Sequence, residues 1–182
     1  MYEAFYGLKE RPFRLVPSPD CLYLSEKHQR ALTYLQYGVM EDVGLVLLTG
    51  EIGTGKTTLI RHLLNELESD IQAGVICNTN LSSIELLRFV LQSFDISSPE
   101  GWKAQALDVF HKFLMENHAA GKQTLIVIDE AQNLSFAALE EVRMLSNFQN
   151  HDQNLLQVML VGQPELRAKL KHPRFSSLTQ RV

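Results

Sequence analysis

Residues 50–57 read Gly50-Glu51-Ile52-Gly53-Thr54-Gly55-Lys56-Thr57, a complete G-x-x-x-x-G-K-[ST] run with a second threonine, Thr58, behind it. This spacing suits the holding of a polyphosphate. Glycines let the main chain turn tightly, so that its N–H groups converge on phosphate oxygens. Lys56 would bring a cation to the β- and γ-phosphates, and the Thr57 hydroxyl would ligate Mg²⁺. Further along, Leu125-Ile126-Val127-Ile128 runs into Asp129-Glu130, four apolar residues ending in two acids. Asp129 would hold Mg²⁺, mostly through water, and Glu130 would polarise the attacking water. A nucleotide switch works without a glutamate here, so Glu130 favours turnover over binding alone. No Asn-Lys-x-Asp or Thr-Lys-x-Asp occurs to read guanine, which leaves adenine. The expected ligands are ATP and Mg²⁺.

Weaker candidates surround this set. Gln163, in Gly162-Gln163-Pro164, would stand beside the acidic pair and touch the γ-phosphate or its water; the other reading is a turn amide capping the next helix. Arg181 could be supplied to a neighbouring subunit's site, and Arg174 competes for that role. Tyr23 and His28 are candidate walls of the base pocket, or simply pack the leading segment onto the core.

These residues need a scaffold. The run 43–49 is apolar and precedes the glycine loop, and 58–64 continues as a helix, so the loop has the strand–loop–helix setting that phosphate binding requires. Further strands are expected at 73–78, 124–129 and 156–161. Ser25 would cap a helix over 26–40 bearing Leu32, Leu35 and Val39 at helical spacing. Ser82-Ser83-Ile84-Glu85 is a capping box opening a helix with Leu87, Val90, Leu91 and Phe94 on one face. Helices are also expected at 102–118, with Leu107, Phe110 and Leu114 inward, at 135–148, and from Pro164 to about residue 170. Strands alternating with helices imply an α/β fold with a parallel sheet covered on both faces. Two parts are expected: a leading segment, 1–42, packing beside the nucleotide, and a core, 43–182.

Composition narrows the function. The 182 residues are 45% hydrophobic, enough for one domain with a sizeable core. A net charge of −4 gives no overall basic excess of the kind that advertises nucleic acid. Cys21 and Cys77 lack metal or redox spacing, which fits reduced thiols in the cytoplasm. The opening Met1-Tyr2-Glu3-Ala4-Phe5 lacks the basic and apolar regions of a secretory signal, and no run approaches the ~20 apolar residues of a membrane helix. Arg167, Lys169, Lys171, Arg174 and Arg181 form a local basic cluster against Glu165, read either as a nucleic-acid patch or as solvated helix and interface charge.

The chain resembles the AAA+ ATPases, and more narrowly those of the general secretion pathway protein A (ExeA-like) family. The resemblance spans 2–13 (Y-E-A-F-Y-G-L-K-E-R-P-F), Tyr23-Leu24-Ser25 with His28, Ala31 and Leu32, and the loop 50–58. It continues through 128–134 (I-D-E-A-Q-N-L), 160–166 (L-V-G-Q-P-E-L) and the closing Gln180-Arg181-Val182. It implies a three-layer P-loop sandwich with sheet order 5-1-4-3-2, ATP sites at subunit interfaces of a ring or filament, Gln163 as first sensor and Arg181 as a trans-acting finger. It places the fifth strand and the helical lid after Val182, which would leave the first strand at a sheet edge. The implied function is ATP hydrolysis driving assembly or remodelling of a cell-envelope secretion or export system, slow in this isolated piece. Two alternatives are a nucleic-acid-associated regulator of the transposition-partner type and a nucleotide-gated scaffold.

Overall fold

The apolar runs fold as strands because each can bury both of its faces only inside a covered sheet. In the computed structural model, residues 5–7, 23–99, 103–150 and 153–175 are described. Helix α1 (Glu26–Met40) leads into β1 (Leu45–Thr49), α2 (Lys56–Glu66), β2 (Ile71–Ile76), α3 (Ser83–Ser93) and α4 (Lys103–Ala119). Then come β3 (Gln123–Ile128), a 3-10 turn (Ala131–Asn133), α5 (Phe136–Leu145) and a short hairpin of β4 (Gln149–Asn150) and β5 (Gln153–Asn154). Strand β6 (Gln157–Gly162) precedes α6 (Pro164–Leu170) and a 3-10 turn (Pro173–Phe175).

The main sheet has four strands in the order β1-β6-β3-β2, every pair parallel. This is the 1-4-3-2 portion of the expected order; among the described residues the main sheet has no fifth strand, and β1 stands at its edge. The register pairs Thr49 with Gly162 and Ile128 with Leu160, so β1, β6 and β3 end together. The chain leaves β1 through α2 for the far edge at β2, opening a crevice at the strand ends where α/β sheets bind ligands.

Side chains alternate across the sheet. Leu125, Val127, Met159 and Val161 face α1 and α2, packing with Leu32, Leu35, Val39, Leu59, Ile60 and Leu63. Ile126, Ile128, Val158 and Leu160 face the opposite layer, which holds α3, α4, α5 and α6. Helix α1 therefore shares the core beneath the glycine loop, and Ser25 caps it by accepting from the His28 N–H. The Ser82–Glu85 capping box opens α3 with both reciprocal bonds formed.

Some expected bounds shift. Strand β2 covers 71–76 rather than 73–78, with its register set by pairing Ile71 to Gln123. In α4 the fully inward stripe is Ala106, Phe110 and Leu114, and Leu107 is only partly buried beside it. Helix α5 stops at Leu145, not 148. Its last turn tightens into i→i−3 bonds, with Asn147 N–H on Met144 O and Phe148 N–H on Leu145 O, and the β4–β5 hairpin follows.

Candidate active site

Helix α2 begins without a side-chain cap. Its N-cap is Gly55, in the left-handed region at φ 79°, and Gly53 is also left-handed at φ 77°. Two such turns so close together demand glycine and aim successive N–H groups into one concavity. The first-turn N–H groups of α2 point the same way, where the helix dipole favours an anion. Thr54 closes the loop internally, its hydroxyl donating to the Glu51 carbonyl at 2.8 Å. Lys56 Nζ donates to the carbonyls of Gly50 (2.8 Å) and Glu51 (2.9 Å), which lays the ammonium over the loop. Gly50 continues the sheet, its N–H bonded to Gly162 O, and Ile52 lies at the exposed crest.

The acidic pair arrives from β3. Asp129 is buried, its N–H bonded to the Ile76 carbonyl of β2. Its Oδ2 accepts from the Thr57 hydroxyl at 2.7 Å, and its Oδ1 accepts from the Glu130 N–H at 2.8 Å. Thr57 and Asp129, far apart in sequence, thus meet as one oxygen pair. Glu130 follows at φ 54°, a sparsely populated conformation for a non-glycine residue that concentrates at functional sites. The Thr79 hydroxyl holds its carbonyl at 2.9 Å. An open cleft of ≈ 290 Å³ is lined by Ile52, Gly53, Gly55, Lys56, Thr57, Thr58, Glu130 and Gln163. Gln163 is the N-cap of α6, but its side chain makes no capping bond, so the structure does not use it as the turn cap.

His28 reaches the loop from below. Its Nε2 lies 2.8 Å from the Thr54 carbonyl and its Nδ1 2.7 Å from Ser25 Oγ. A carbonyl only accepts, so Nε2 carries a proton and Ser25 O–H donates to Nδ1 in the neutral ring. Tyr23 is exposed. Arg174 lies with Phe136, Ala137, Glu140 and Phe175 around a separate hollow, and Arg181 falls outside the described residues. Sequence reasoning passed over Thr79 and Gln132. The run Ile128-Asp129-Glu130-Ala131-Gln132 held a signal, since a polar side chain two residues past the acid can fold back on it.

A family described as AAA domain matches residues 39–170. The general secretion pathway protein A of Aeromonas hydrophila is 42% identical over 183 residues, covering 100% of this chain and 34% of that protein. The chain belongs to the AAA+ family, and over its whole length it is similar to that secretion pathway protein. It spans about a third of the length of that relative. The AAA+ fold also matches the ORC2 protein of Aeropyrum pernix, with a TM-score of 0.68 at 14% identity over 93% of this chain and 49% of that one. Cdc6p of Pyrobaculum aerophilum matches with a TM-score of 0.62 at 16% identity, over 87% and 45% of the two chains. No described helix of this AAA+ chain is long and apolar enough to cross a membrane.

Proposed function

We propose that the chain binds ATP with Mg²⁺ in the cleft at residues 50–58 and hydrolyses it. The observation that carries this reading is the Thr57–Asp129 contact at 2.7 Å, with Glu130 next in the chain and Lys56 across the loop. Two hard oxygen donors side by side, one a buried carboxylate, match the ligand preference of Mg²⁺, which keeps most of its waters. When bound, the ion would neutralise charge on the β- and γ-phosphate oxygens.

The rest falls to the chain's own groups. The loop N–H groups and Lys56 fix the triphosphate and meet the charge that builds on the leaving oxygen. Glu130 orients a water and takes its proton as the water oxygen bonds the γ-phosphorus; the bond to the β-phosphate oxygen breaks, and ADP and phosphate result. Gln163, free of a capping duty and lining the cleft, contacts the γ-phosphate or the water. From the leading segment, 1–42, His28 bears on this site by bracing the Thr54 carbonyl.

We further propose that turnover drives assembly or remodelling of an envelope secretion or export system at the cytoplasmic face of the membrane, as the 42% identical relative's name suggests. Ring or filament self-association would bring Arg181 or Arg174 to a neighbour's cleft. The regulator alternative, acting on nucleic acid, draws on the basic cluster; there, Lys169 already donates to the Gln132 and Leu134 carbonyls. Titration calorimetry with Mg-ATP and Mg-ADP tests the site directly: saturable heat is expected, and none at millimolar nucleotide on folded protein refutes it.

A further inference from the structure

The carboxylate assigned to water activation does not stand alone. Gln132 sits at the centre of the 3-10 turn, two residues past Glu130, and both ends of its side-chain amide are used. Nε2 donates to Glu130 Oε2 at 2.6 Å, and Oε1 accepts from the Gln163 main-chain N–H at 3.0 Å. The turn itself is pinned from α6, where Lys169 Nζ donates to the carbonyls of Gln132 (2.6 Å) and Leu134 (2.8 Å). Room for the amide at the end of β6 depends on Gly162, because a Cβ there would come within 2.7 Å of Gln132 Oε1. Glu130 and the Gln163 N–H therefore meet on one neutral side chain, and Lys169 holds the carbonyl of the same residue.

We propose that Gln132 is a positioning residue for hydrolysis: it fixes the rotamer of the Glu130 carboxylate and ties it to the Gln163 end of β6. This rests on the reading of Glu130 as the base. An amide suits the task, since a neutral donor orients a carboxylate while a cation in its place would lower the basicity on which proton transfer depends. Only Oε2 is engaged by Gln132, which leaves Oε1 to accept from water. The shared amide also makes any shift of the β6 end a shift of the base.

Two measurements test this. In the nucleotide-free chain, the ¹⁵N side-chain amide resonance of Gln132 should shift in Glu130→Gln, which removes the carboxylate that accepts from its Nε2. In hydrolysis assays, Gln132→Ala should lower kcat roughly tenfold to a hundredfold, the scale of a misplaced catalytic group, with KM for ATP held within about twofold. Gly162→Ala keeps both side chains but crowds the amide out, and should reproduce the loss. A Gln132 resonance indifferent to Glu130, or parental kcat in Gln132→Ala while Glu130→Gln is inactive, overturns the positioning role alone. Undiminished hydrolysis by Glu130→Gln removes the base assignment, and this proposal with it.

Discussion

Two side chains carry separable parts of the proposed chemistry. Lys56 holds its ammonium on the Gly50 and Glu51 carbonyls, beside the loop N–H groups that would take a triphosphate. Replacing it with alanine leaves the β/γ charge unmet in a concavity built for anions. Lys56→Ala is therefore expected to abolish calorimetric ATP binding, and micromolar affinity in that variant would contradict the loop assignment. Glu130 has no part in the cradle. Glu130→Gln should bind Mg-ATP like the parent and lose hydrolysis by roughly 10²–10⁴-fold, the usual contribution of a general base. Equal turnover in a phosphate-release assay would exclude the role. Both residues were legible in the sequence because short-range patterns bring them to the site, a glycine loop before a helix and an apolar strand ending in acids. Thr79 was not, because its partner, the Glu130 carbonyl, lies 51 residues on; for Gln132 only the short tie to Glu130 left a trace in the sequence, while Gln163 and Lys169 reach it from other elements.

The elements that aim these groups were legible where their ends carry chemistry. Ser25 and the Ser82–Glu85 box fixed the starts of α1 and α3. The end of α5 was hidden, since no glycine or proline marks it, and the polar Gln149, Asn150, Gln153 and Asn154 show none of the alternation that betrays a strand. The capping box also predicts a pH dependence. Hydrogen bonds from the Ser82 hydroxyl and then its main-chain N–H, with a further contribution from Arg88, hold the Glu85 carboxyl below its ordinary value despite partial desolvation. A depressed folded value means stability fully present above the unfolded pKa and lost as pH falls through the folded one. Glu85→Gln should therefore melt below the parent at neutral pH and converge on it in acid. A difference that persists undiminished in acid, followed by circular dichroism, would mean that the charge is not the source. Beneath the glycine loop, Leu63 is fully buried where α2 meets α1 and the sheet. Leu63→Ala should cost about 2–5 kcal/mol through lost transfer energy and a residual cavity, read as a lower denaturant midpoint at unchanged slope.

At the scale of the whole chain, site and core are the same object. The strands that bring Gly50, Asp129 and Gln163 together are the strands whose alternate residues fill both hydrophobic layers, and α1 contributes to one layer while His28 braces the loop. The parallel sheet and its order could be read from alternating strands and helices together with the family resemblance. What lies beyond β1 could not be read from these residues, because a strand edge is closed only by chain or partner that supplies the missing hydrogen bonds. A site built into the core couples ligand binding to global unfolding, since the loop, Thr57 and Asp129 converge only when the sheet is formed. Mg-ADP at about 100 times its Kd should then add ~2.7 kcal/mol to stability. For a chain of this size that raises the melting temperature by roughly 5–10 °C. Because Thr57 links the proposed Mg²⁺ ligands to the glycine loop, chelating Mg²⁺ should remove part of that shift, and Lys56→Ala should remove nearly all of it. A parental melting curve that ignores Mg-ADP at that concentration, measured by scanning calorimetry, would mean that the cleft at the strand ends is not where nucleotide binds.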